Sequence, residues 1–432
     1  MTLDTMRLPF ELVESIVENL SGDAPSLRAC ALTSSTFLET SQRRLFDTLV
    51  VTPPPCNQAK KPPRISPTTK LYDLLIQSPH LSNYIHHLRL ENVGVVTANV
   101  HGINTHWIAQ DADFALLLPL LPAVKSLVWH SGMCGLNWYA LTPTTRQALQ
   151  QAFMQWPLER FEVTAMVNLP LPVIKTMKNL RHLSLSVTHF VERELPANAI
   201  SCRLVGGEVE EKLLPLGSLS IMDPSRHLMS ALTSWVVENV ELSNLEALSW
   251  NTYGSYFPKG DDMVEMLKIL EPAAGSIRTL EVAPSLDGTS TAAIPSLSVP
   301  SLDYPNLESL TLGFELSPHG ESSCLWFKTS FSNVTSSRSI GNLERVRVRC
   351  HVAQESPSVS FDPEVWGLQD ALMHPATGEM KVKRLKEVDV QLHSVYSVAK
   401  GEMGKVRGGI VEGMGSLPKR VKVNVTEPLG EV

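Results

Sequence analysis

Three arginines in alternation are the most chemically pointed feature of this sequence. In Leu-Glu-Arg-Val-Arg-Val-Arg-Cys, residues 343–350, a strand period of two sends Val346, Val348 and Cys350 to one face and Arg345, Arg347 and Arg349 to the other. A row of guanidinium forks suits carboxylates or phosphates, which it can grip through paired N–H donors. A second use of the row is internal. Leu-Lys-Glu-Val-Asp-Val, 385–390, projects Glu387 and Asp389 with the same period, and adjacent strands would pair those charges with the arginines. Both readings stay open here: two arginines neutralised within the sheet leave one positive charge for an acidic or phosphorylated partner.

Other reactive side chains lack the spacing that chemistry needs. His80, His86, His87, His101 and His106 cluster along the chain, but none has a cysteine or carboxylate at the intervals of a zinc site. Cys30, Cys56, Cys134, Cys202, Cys324 and Cys350 stand far apart with no C-x-x-C pair, the usage of free thiols in a reducing compartment. Nucleophile-elbow, zincin and kinase motifs are absent, and so are the Gly-rich loops that cradle phosphates. The expectation is a chain that is not an enzyme and carries no metal and no cofactor. A formal net charge of −7 argues against a general nucleic-acid binder. The longest apolar run, residues 114–124, is too short to span a bilayer and holds two prolines, so no membrane partner is expected. The first residues contain an early acid and no apolar signal core, which leaves the sequons at Asn333 and Asn424 without meaning and predicts a cytoplasmic or nuclear protein.

The elements that would position these residues repeat. Eleven hexads of the form L-x-x-L-x-L begin at residues 46, 85, 124, 158, 180, 216, 245, 277, 307, 343 and 385, and each ends in a period-two alternation, the mark of a short strand with one buried face. Successive starts lie about 22 to 42 residues apart, the range of a repeat array with insertions. Helical patterns lie between them at 68–85, 142–156, 229–240 and 260–270. Thr142 and Pro143 suit an N-cap and a first helical position. Strand, helix and strand in alternation imply parallel strands joined by right-handed crossovers. A doubly wound nucleotide enzyme has the same alternation, but would need the Gly-rich loop that is missing. The hexads resemble the strand segment of leucine-rich repeats over residues 46–425. That resemblance implies an α/β solenoid with a curved parallel sheet, helices outside, and a concave face carrying Arg345, Arg347 and Arg349. Pro-rich residues 52–69 read as a linker, 284–303 and 351–362 as protruding loops, and 401–416 as a mobile Gly-rich stretch.

The chain begins differently. In Leu-Pro-Phe-Glu-Leu-Val-Glu-Ser-Ile-Val-Glu-Asn-Leu, 8–20, Leu12, Val13, Ile16, Val17 and Leu20 form one apolar arc opposite Glu11, Glu14, Ser15, Glu18 and Asn19. So short a helix must bury that arc against something. Residues 21–46 read as two more helices, with Asp23 as an N-cap and apolar positions at Leu27, Cys30, Ala31, Leu32, Phe37, Leu38 and Leu45. Together these segments resemble the F-box, whose opening L-P-x-E-L-x-x-x-I-x-x-x-L is met by Leu8, Pro9, Leu12, Ile16 and Leu20. Leu27 and Leu32 fall in its second block. The resemblance implies an F-box helical domain over 1–50, a linker over 51–70, repeats over 71–425 and a tail over 426–432. It further implies a non-catalytic substrate receptor of a cullin-RING ubiquitin ligase, with those seven residues binding the Skp adaptor and Arg345, Arg347 and Arg349 binding a protein substrate. In the alternative reading the chain is a leucine-rich-repeat scaffold whose first helices only cap the array.

Overall fold

The computed structural model describes residues 8–53, 66–91, 96–98, 104–132, 135–187, 190–191, 213–222, 226–252, 261–284, 293–316, 321–336, 340–352, 382, 384–394 and 422–426. The fold is mixed α/β, built on parallel strands with helices between them. The chain divides into two compact units, Met1–Leu180 with Thr188–Gly207, and Arg181–Val187 with Glu208–Val432. The repeats expected over 71–425 extend across both units.

The first unit opens with three helices, α1 (Phe10–Asn19), α2 (Ala24–Thr33) and α3 (Ser35–Phe46). The caps are local chemistry. Asp23 accepts the Ser26 amide at 3.2 Å and the Ser26 hydroxyl at 2.5 Å; these bonds, the hydroxyl's first, hold the Asp23 carboxyl below the usual range. Ser34 caps α3 by accepting from Thr36. Gly22, at φ +95°, makes the left-handed turn after α1. After α3 only Asp47 intervenes before β1 (Thr48–Val51), which pairs in parallel with β2 (His87–Leu90), then β3 (Ser126–His130) and β4 (Arg160–Thr164). The intervening helices are α4 (Pro67–Gln77), α5 (Ala112–Leu117) and α6 (Pro143–Gln155). Thr142 caps α6 through the Thr145 amide, with Pro143 at the first position, as its sequence predicts.

The second unit carries eight described parallel strands: β5 (His182–Ser186), β6 (Ser218–Met222), β7 (Ala247–Asn251), β8 (Thr279–Ala283), β9 (Ser309–Leu316), β10 (Arg345–Val352), β11 (Glu387–Ser394) and β12 (Lys422–Thr426). They pair in chain order. Helices α7 (Arg226–Asn239), α8 (Asp261–Ala273) and α9 (Glu321–Thr335) lie between strands in the chain. The register is residue for residue: Leu183, Leu219, Leu248, Leu280, Leu310, Val346 and Val388 form one lateral row, and Leu185, Ile221, Trp250, Val282, Leu312, Val348 and Val390 the next. All are buried. Each of the eleven hexads is therefore a strand, and a twelfth, β12, repeats the alternation at Val423 and Val425 beyond the last hexad.

Several boundaries move. The segment read as a linker over 51–70 begins in β1, where Val51 is buried, and ends in α4, capped by Ser66. Residues 54–65 of it, most of the loop at 351–362 and the stretch 401–416 lie outside the described residues. The helix expected over 68–85 stops at Gln77, because Pro79 cannot continue it; a 3-10 turn, Pro79–Tyr84, follows. The loop expected over 284–303 is packed structure from residue 293: Ile294, Leu297, Ser298 and Val299 are buried. The Trp326 indole N–H donates to the Leu297 carbonyl at 3.1 Å, and the Ser330 hydroxyl accepts the Val299 amide at 3.0 Å. A Ser/Pro composition resembles a loop because it hides the hydrogen bonds that make burial tolerable.

Gly313, buried in β9, is a close-approach glycine. A Cβ there would lie 2.5 Å from the Ala283 Cβ, so the strands cannot keep their spacing around a side chain. Gly275 has nothing within 4 Å of the same position. Gly313→Ala should cost about 1–3 kcal/mol of stability, as overpacking does, and Gly275→Ala less than about 0.5 kcal/mol. Urea denaturation of both variants measures this; equal midpoints would disprove the close approach.

Candidate functional site

Two surfaces, one in each unit, hold the residues singled out in the sequence. In the helical head the arc of α1 divides. Val13 and Val17 are fully buried, whereas Leu12 and Ile16, one turn apart, are 51% and 41% exposed. Leu8 and Pro9 are exposed ahead of them, and Leu20 is half-buried. On α2, Leu27 is buried and Leu32 is 88% exposed. Leu27, expected among the adaptor-binding residues, thus belongs to the head's interior. Phe10 on α1 and Leu38 on α3 are exposed as well. The sequence signal for this division was the width of the arc, since five apolar positions exceed what one neighbouring helix covers. Leu12 and Ile16 on α1, with Leu8 just ahead of it, thus leave apolar side chains close together on the head's surface.

α3 ties the head to the first strands. Arg44 pairs with Glu18 of α1 at 2.7 Å, and Arg43 lies over the Tyr84 ring at 5.7 Å. The Asp47 carbonyl accepts the amides of both His86 and His87, while its carboxylate meets the His86 Nδ1 at 2.9 Å. A cleft of about 540 Å³ opens here, lined by Glu14, Glu18, Arg43, Arg44, Asp47 and His86 among others. Three acids facing two arginines and an imidazole present no single charge to a ligand. His80 packs edge-on against Tyr84, and His101 lies outside the described residues. Among the described residues no group of three or more His, Cys, Asp or Glu could hold a metal ion.

In the second unit β10 turns as its alternation dictates: Val346, Val348 and Cys350 are buried, and Arg345, Arg347 and Arg349 share the other face. Across the register Arg345 stands beside Glu387, Arg347 beside Asp389 and Arg349 beside Gln391. Arg347 Nε donates to Asp389 Oδ2 at 2.8 Å. Arg349 reaches the opposite way, over β9, to Glu281 of β8, and donates to the Gln391 side-chain oxygen at 3.2 Å. Glu387 instead accepts from the Asn424 amide at 2.8 Å. Two arginines are thus held by carboxylates within the sheet, and Glu281 is a partner that lies two strands away and that nearest-neighbour reasoning missed. Arg345 is exposed.

The row therefore serves the sheet's own stability in part. Asp389→Ala removes the acceptor of both Arg347 and the Gln391 amide and should cost about 1–2 kcal/mol. Arg345→Ala should change stability by less than about 0.5 kcal/mol. Equal shifts in urea midpoint would show that the carboxylate contributes nothing.

No family model matches the chain, and no curated protein sequence matches it. Among solved structures it is similar to a Bacteroides fragilis protein determined as a structural-genomics target, at 16% identity and a TM-score of 0.36 over 74% of this chain and 69% of that one. A likeness of that degree carries no argument about function. Among the described residues no helix is long and apolar enough to cross a membrane.

Proposed function

We propose that the chain is the substrate-recognition subunit of an SCF-type cullin-RING ubiquitin ligase, binding the Skp adaptor through an F-box at residues 8–46 and a protein substrate through a leucine-rich-repeat-like solenoid. The observation that carries this reading is the divided apolar arc of α1. Val13 and Val17 satisfy the head's interior, while Leu12 and Ile16, in the motif positions of the resemblance, stay exposed and ask for a partner. The in-register parallel strands support the repeat part of the reading. In it Arg345, Arg347 and Arg349 face the substrate, with Arg345 and Arg347 the exposed cations of the row. A second reading, a repeat scaffold whose helices only cap the array, is favoured by the direct run of α3 into β1.

Leu12→Glu or Ile16→Glu in the full chain should lower capture of purified Skp adaptor by on the order of a hundredfold, because a charge without a partner is stranded in the contact. Circular dichroism should remain that of the unchanged chain. Adaptor capture undiminished in both variants would eliminate the F-box reading and leave the scaffold. Alanine at Arg345, Arg347 and Arg349 together should leave adaptor capture intact and weaken substrate ubiquitination. Unchanged ubiquitination would move the substrate site elsewhere.

A further inference from the structure

Two helix N-termini in the first unit are fastened to each other through one carboxylate. Asp111 caps α5 with Oδ1, which accepts the amides of Asp113 and Phe114 at 3.2 Å each. Its other oxygen, Oδ2, accepts the hydroxyls of Ser66 and Thr68 at the start of α4, both at 2.5 Å. The Thr69 hydroxyl donates to Asp113 beside it. Ser66 Oγ also accepts the Thr68 amide at 3.3 Å, so one hydroxyl caps α4 and holds α5. Thr68 is fully buried, and Ser66 is half-buried.

Ser66 is followed by Pro67, the residue that a proline-directed protein kinase reads next to its target hydroxyl. We propose that Ser66 is a phosphorylation site and that its phosphoryl group releases α4 from α5. In the step, Ser66 Oγ attacks the γ-phosphorus of a nucleoside triphosphate bound to the kinase. The new Oγ–P bond forms as the bond from that phosphorus to the β,γ-bridging oxygen breaks; a nucleoside diphosphate leaves, and the hydroxyl proton passes to the kinase's base. The product has no proton to give Asp111, and sets a charge near −2 against a carboxylate that was 2.5 Å from the oxygen. The α4 N-terminus attracts the phosphate, but Asp111 and Asp113 both oppose it, and the two full charges outweigh one helix end. Thr142 gives the contrast within the same unit. It too is a hydroxyl cap followed by proline, but its hydroxyl meets Thr145, so a phosphate there would add to a helix N-terminus instead of opposing an acid.

The full chain, incubated with ATP and a purified cyclin-dependent-type kinase, should gain a phosphate on Ser66 by peptide mass spectrometry. Amide hydrogen exchange over Pro67–Gln77 should then rise on the order of tenfold, the loss expected when a hydrogen bond to a charged group is broken. In the Asp111→Asn chain the same phosphate should leave exchange unchanged or slow it, and Ser66→Asp in the otherwise native chain should reproduce part of the rise. The proposal is overturned if Ser66 stays unmodified in the full chain. It is equally overturned if phosphorylated Ser66 leaves exchange over α4 the same or slower, since the phosphate would then be a better cap and not a release.

Discussion

The lateral alignment of buried side chains is the constraint on which the rest of this protein depends. In a parallel sheet with residue-for-residue register, every apolar position of one strand lies beside the matching position of the next, and a slip of one residue would turn a whole strand's Leu, Val and Trp side chains outward. Each strand in the second unit therefore fixes its neighbour's register. The polar face inherits its order from the buried one: because Val346 and Val348 sit in line with Val388 and Val390, Arg347 must sit beside Asp389. The ion pairs do not create the register. They report it.

Arg349 shows how far that order reaches. Its guanidinium passes the strand beside it to meet Glu281, and the residue on the intervening strand in register with Arg349 is Gly313, which offers no side chain to block the way. One glycine thus accommodates both the near contact with Ala283 and a charge pair spanning three strands. Glu344, paired with Lys386 at 2.7 Å one row lower, has its carboxyl held below the usual range, chiefly by that hydrogen bond. On this part of the face Arg345 and Arg347 of β10 lie beside the acids of β11 and, across the uncharged Ser309, Thr311 and Gly313 of β9, Arg349 reaches Glu281 of β8, so opposite charges offset one another.

Most of the sheet was legible in the sequence because period-two alternation is a local signal, and the buried face enforces it at every strand. The strand at Lys422–Thr426 carried the same signal in Val423 and Val425 and was missed only because it lacks the leading leucine of the hexad. The segment from residue 293 was illegible for a different reason: its order comes from Trp326, Ser330 and Asn333 of a helix further along, contacts that composition cannot announce. At the candidate docking face the motif located Leu12 and Ile16, but could not separate Leu27, which turns inward, from Leu32, which turns out. That distinction is set by how α2 lies on α3. The pairing of Ser66 with Asp111 joins residues far apart in sequence and left no trace beyond an ordinary helix cap.

The head's interior is small: among the described residues, Val13, Val17 and Leu27 are the apolar side chains of α1 to α3 that are fully enclosed. Three such residues cannot offset the ordering of some forty; α3 finds further support where Arg43 lies over Tyr84, and Asp47, just past its end, is held by the amides of His86 and His87. This has a consequence for biosynthesis. The first helices leave the ribosome well before the segment that completes them, and at ordinary elongation rates the interval to His87 is about 2–8 s. During that time Leu12 and Ile16 are exposed together with Val13 and Val17, and a nascent chain with its whole apolar arc in water is a target for chaperones. Packing of α1 on α3 ends that vulnerability for Val13 and Val17, and leaves the surface that the mature protein keeps.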